Sequence, residues 1–191
     1  MSRETAKDFK KFEKYISNYK LKKLLKDDNV RKEVKKLHKL YFSLLTFIAE
    51  LKNYIDDDQH ENVVSKQQFT YLAEASSDIA TCIFHDINGS YKSSKMMIRS
   101  SIETFLKGFC YDELPNLINE KSVYKIFDDV KSLEYFKQEN QLKSYEVLHH
   151  AYIELCKDTH TAKEVNMQKI TALKYFPTFD KTKSEEIYGI Y

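Results

Sequence analysis

KMMIRSSIETFLKGFCY, residues 95–111, is the stretch around which the chain is read. Met96, Ile98, Ile102, Phe105, Leu106 and Phe109 make it an apolar helix. Within it stand Arg99, one of only three arginines, and Glu103, four residues on. Residues four apart lie on one helical face, so guanidinium and carboxylate are neighbours. Such a pair on an otherwise apolar helix is either a structural ion pair or part of a site.

Working outward, the chain contains 191 residues with 42% hydrophobic and 14% aromatic side chains, enough for a folded core. Only three Gly and two Pro occur, too few for the turns of a sheet protein. The expected class is all-α, an up-and-down helical bundle of about six helices. A first helix is expected over Glu4–Lys26, with Phe9, Phe12, Ile16 and Tyr19 as its stripe. A second, Asn29–Ile55, places Val30, Val34, Leu37, Tyr41, Leu44, Ile48, Leu51 and Ile55 at alternating steps of four and three. That spacing suits a bundle or a dimer seam. Ser65 and Gln68 match a capping box, so a third helix starts there and runs to about Asp86. Asn88-Gly89 stops it, and the tight connection makes the third and fourth helices an antiparallel hairpin. Further helices are expected over Ser122–Phe136 and Asn140–Thr159, and a short one around Val165–Leu173. Residues 1–64 read as a basic N-terminal hairpin, 65–165 as the helical core and 166–191 as an extension on the bundle.

Residues 1–40 hold 14 of the 31 Lys/Arg but 6 of the 29 Asp/Glu. A basic arm beside an acidic body suits an anionic partner such as RNA, and also suits a lysine-rich solvated helix. Cys82, Cys110 and Cys156 are odd in number with no CxxC spacing, which fits a reducing, cytoplasmic setting. No apolar run approaches the roughly 20 residues of a membrane span, and no signal segment is read at the N-terminus. P-loop, GxGxxG, HExxH, GxSxG and EF-hand patterns are absent, and no metal or other cofactor is expected.

What remains is Arg, Glu and His on helices. Arg99 and Glu103 on the fourth helix, with His160 at the end of ELCKDTHT, form the first candidate cluster. Lys107, one turn beyond Glu103, would add positive charge. The segments IRSSIE and AYIELCKDTHT together resemble the HEPN helical superfamily over about residues 65–165. That resemblance implies a bundle of four or five helices, often a homodimer, and membership among bacterial phage-defence or toxin proteins. It also implies metal-independent endoribonuclease chemistry from an Arg, four to six residues, then a His, with an antitoxin or phage protein as a possible partner. Arg99 has no His in that window. Arg31 and His38 in RKEVKKLH do fit it, with Lys32 where the family has a short polar residue, and they form the second candidate. A non-catalytic module for dimerisation or for nucleic-acid or protein binding is the alternative. In that reading Arg99–Glu103 only fixes packing, and His160 complements a helix dipole.

Overall fold

The computed structural model describes residues 3–18, 21–56, 64–159 and 177–190. Among them are seven α-helices and no strand: α1 (Arg3–Asn18), α2 (Asp28–Asp56), α3 (Lys66–Ile87), α4 (Tyr91–Phe109), α5 (Val123–Ser132), α6 (Glu139–Thr159) and α7 (Lys181–Ile190). The all-α bundle expected from composition is the fold. Short 3-10 helices at Leu21–Lys26, Pro115–Asn119 and Glu134–Lys137 join these elements. No described helix is long and apolar enough to cross a membrane.

The hairpin of α3 and α4 is the centre. Ser65 caps α3 by accepting from the Gln68 N–H at 3.1 Å, and the Gln68 side chain accepts from the Ser65 N–H at 3.1 Å. Gly89 turns the corner with φ +79°. A Cβ there would meet both Cγ2 and the carbonyl of Thr178 at 2.5 Å, so the turn requires glycine twice over. The two helices then run antiparallel along small residues. Ser94 donates its hydroxyl to the Cys82 carbonyl at 2.9 Å, and Ser101 donates to the Ala75 carbonyl at 3.1 Å. At Gly108 an added Cβ would stand 3.0 Å from the side chains of Tyr71 and Leu72. Ser94, Ser101 and Gly108 recur every seven residues and let the backbones approach closely.

The other face of α4 meets α6, again antiparallel, and α5 closes one end through Phe127, whose carbonyl accepts the Tyr145 hydroxyl at 3.0 Å. One buried cluster joins all three sequence segments: Phe9, Val34 and Leu37 from the first, Ile83, Ile98 and Leu155 from the second, and Ile187 from the third. Two helices are shorter than the periodicity predicts. Leu21, Leu24 and Leu25 fall in a 3-10 turn after α1, where a three-residue repeat suits the leucines. After Ser132 the chain extends at Leu133 (ψ 141°) and re-coils at Glu134–Lys137. The expected helix around Val165–Leu173 lies outside the described residues. α7, which sequence periodicity does not predict, docks on α2 and α4.

That docking rests on polar anchors. Ser184 donates to Asp86 Oδ2 at 2.8 Å with both residues buried, and the Asp180 N–H donates to the Tyr91 hydroxyl. Lys95 pairs with Glu186 at 3.2 Å. Among the described residues Asp86 Oδ1 has no partner, and its carboxyl sits in the last turn of α3, where the helix dipole disfavours an anion. Burial, partly offset by Ser184, pushes the Asp86 carboxyl from an ordinary 3.8 up to about 6. The folded value lies above the unfolded one. The stabilising contribution of the protonated acid is therefore full below pH 3.8 and is lost as pH rises through about 6. The loss corresponds to about 3 kcal/mol. Urea titrations at pH 4 and pH 8 are expected to show it, and Asp86→Asn is expected to flatten the difference while leaving the fold in place.

Candidate functional site

α4 and α6 carry the first candidate cluster. α6 buries Tyr145, Tyr152 and Leu155 on its inner stripe, and Tyr152 brings a hydroxyl that must find partners there. It finds both α4 residues. The Tyr152 hydroxyl donates to Glu103 Oε1 at 2.7 Å and accepts from Arg99 Nε at 2.9 Å. The direct Arg99–Glu103 approach is longer, 3.5 Å, so the phenol is the better partner of each. The guanidinium also lies 5.3 Å from the Tyr152 ring centre. Burial, and next the hydrogen bond given to Glu103, push the Tyr152 hydroxyl well above the ordinary phenol range, so it stays a donor at neutral pH. The cluster is neither core nor open surface: the Arg99 and Glu103 side chains are 29% and 27% exposed.

Sequence spacing puts Tyr152, Cys156 and His160 at four-residue steps. Cys156 is half-buried, one turn beyond Tyr152. His160 lies outside the described residues, one position beyond the end of α6 at Thr159. Lys107 does not join the cluster. Its ammonium donates to the Glu120 carbonyl at 2.9 Å and the Ile118 carbonyl at 3.5 Å, holding the end of the Pro115–Asn119 helix.

The second candidate pair is occupied by α1. Arg31 Nε bonds Glu13 Oε1 at 2.8 Å, and its guanidinium lies 5.9 Å from the Phe9 ring centre. His38 is 1% exposed, bonds Asp8 Oδ2 at 2.9 Å through Nε2, and lies among Phe9, Phe12 and Phe42. The two side chains share a face of α2, seven residues apart, and both serve to hold α1. A histidine so enclosed is closed to a polymer substrate. The RKEVKKLH spacing therefore reports helix pairing.

Beside the first cluster, toward the C-terminal end of α4, is a groove of about 370 Å3 between α4, the Glu134–Lys137 helix and the start of α6. Tyr152 and this groove were both missed by motif reading. The available signal was a tyrosine inside the apolar stripe of α6 and a run of aromatics at 105, 109, 135 and 136. Among the described residues, no group of three His, Cys, Asp or Glu side chains is placed to hold a metal ion.

The two clusters are expected to respond differently to truncation. Tyr152→Phe keeps the ring and removes the shared hydroxyl, and is expected to cost about 1–2 kcal/mol in urea unfolding. His38→Ala removes a buried ring and strands Asp8, and is expected to cost more, about 3 kcal/mol. Comparisons of this chain with protein-family models, with curated proteins and with solved structures found no match.

Proposed function

We propose that this protein is a metal-independent endoribonuclease of the HEPN-like defence or toxin type, working from Arg99, Glu103 and His160. The observation that supports it most is the half-exposed Arg99–Tyr152–Glu103 cluster on α4 and α6. α6 is the helix whose end leads into His160 in sequence. In this reading the substrate's own 2′-OH attacks the adjacent phosphorus, and the bond to the 5′-oxygen of the next nucleotide breaks. A cyclic phosphate and a 5′-hydroxyl result. His160 takes or returns the proton, since imidazole titrates near neutrality. Arg99 grips the non-bridging oxygens and stabilises the crowded phosphorane charge. Tyr152 and Glu103 hold the guanidinium in place. The lysines of α1 and α2 would track the backbone and make binding salt-dependent.

Incubation of the purified chain with a mixed RNA pool in EDTA tests this. Cleavage is expected from the wild type, and loss of about 100-fold or more from Arg99→Ala and from His160→Ala with helicity unchanged. Intact RNA with the wild type, or full activity in both variants, overturns it.

A second reading, that the chain is a dimerising interaction module, has its own observation. The first half of α2 buries Val30, Val34 and Leu37, yet no residue from Lys39 to Ile55 is fully buried. Between Lys39 and Glu50 there is no charged residue, in a chain that is 31% charged. Tyr41, Leu44, Ile48, Leu51 and Ile55 continue the heptad stripe into this half-exposed stretch. An apolar groove of about 290 Å3 adjoins it at Leu40 and Leu44. Charge depletion with aliphatic and aromatic side chains is the composition of an interface centre. A second copy laid antiparallel across Ile48 would face Tyr41 with Ile55, seven residues to either side. Sedimentation is expected to show a dimer for the wild type and a monomer for Ile48→Glu with unchanged helicity. A wild-type monomer at the highest soluble concentration removes this reading.

A further inference from the structure

The 370 Å3 groove has walls of two different kinds. One wall is aromatic. Phe105 and Phe109 stack with ring centres 5.5 Å apart and planes 17° from parallel, and Tyr135 lies 5.7 Å from Phe109. Phe109 and Tyr135 are 40% and 42% exposed, large apolar surfaces to leave in water. The other wall is the first two turns of α6, with Asn140, Gln141 and Ser144. Ser144 donates to the Asn140 carbonyl at 3.1 Å, which leaves its oxygen as an acceptor. The side-chain amides of Asn140 and Gln141 bond no other described residue. No lining side chain carries a charge.

This combination selects a narrow class of ligand. A charged group entering the groove would lose water without meeting a countercharge. An aliphatic ligand would cover two amides and leave them unsatisfied. A neutral planar ring with donors and acceptors on its edge satisfies both walls. It stacks on the exposed aromatic faces, and amide side chains offer a donor and an acceptor side by side for bidentate pairing. The volume lies at the lower end of small-molecule sites, enough for one such ring system.

We propose that the groove is a nucleobase subsite. The base stacks on Phe109, with the Tyr135 ring, tilted 58° from it, against its side, and its edge bonds the amides of Asn140 and Gln141, with Ser144 as a further acceptor. The subsite lies close to the first cluster. Phe105 is six residues, about 9 Å, from Arg99 along α4, and Leu148 is four residues, about 6 Å, from Tyr152 along α6. A phosphate attached to a nucleoside in the groove therefore falls on the side of Arg99. That placement of the phosphate rests on the ribonuclease reading; the binding of the base does not.

Nucleosides without phosphate separate the two. Adenosine, guanosine, cytidine and uridine are titrated into the full chain while the side-chain amide resonances of Asn140 and Gln141 are followed by NMR. Saturable shifts are expected with at least one of them, weakened about fivefold or more in Asn140→Ala and Gln141→Ala. Ser144→Trp fills the groove from an exposed position and is expected to abolish the shifts with helicity unchanged. Arg99→Ala is expected to retain nucleoside binding while losing RNA cleavage, so failure of the nuclease reading leaves this result intact. No saturable shift with any nucleoside overturns the proposal, which is also the result if the chain's own residues fill the groove. Phenol binding as tightly as the nucleosides also overturns it, because the amides then read nothing.

Discussion

The close approach of α3 and α4 is the constraint on which the rest of the bundle depends. Ser94, Ser101 and Gly108 meet α3 with side chains too small to hold the backbones apart. The two serines spend their hydroxyls on α3 carbonyls, so the seam is satisfied as well as tight. Fixing that face fixes the helix rotation. At 100° per residue, Arg99 lies about 200° from Ser101, and Glu103 lies about 200° on the other side. The ion pair is thus turned away from α3 and toward α6. A bulkier seam would push α4 out and rotate the pair away from Tyr152.

The bundle contains two Arg-centred polar clusters that differ in spacing and in partners. Arg31 and His38 each take a carboxylate from α1, with His38 sealed under phenylalanine rings. Those contacts tie α1 to α2. Arg99 and Glu103 share one phenol at a partly open seam, where a single hydroxyl serves both charges. Between these extremes, Asp86 is a buried acid with one oxygen satisfied, and it ties α7 to the end of α3. Burial raises the pH range over which its neutral form persists, so that anchor is strongest in acid.

Much of the fold was legible residue by residue. Ser65 with Gln68 marked the start of α3, Asn88-Gly89 marked the turn, and the α2 heptads marked its length and, over its first half, its inner face. These signals are local: a cap, a positive φ and a periodic stripe act within a few residues of chain. α7 was not legible. Its packing residues Ser184 and Ile187 are set among Lys181, Lys183, Glu185 and Glu186, and its stability comes from Asp86 and Tyr91, about ninety residues away. The 3-10 turn from Leu21 and the break after Ser132 were missed as well, since apolar spacing continued into both.

By itself the sequence determined the helical class, most helix starts and stops, and the adjacency of Arg99 and Glu103 on one face. Each follows from backbone preference and the 3.6-residue period, which need no partner helix. Only the tertiary structure decided that Tyr152 divides that pair, that His38 is enclosed by α1 while Arg31 pairs with Glu13 at the surface, and that Lys107 holds a chain end. Those outcomes depend on which helix lies opposite, and a side chain's chemistry is set by what faces it across the seam.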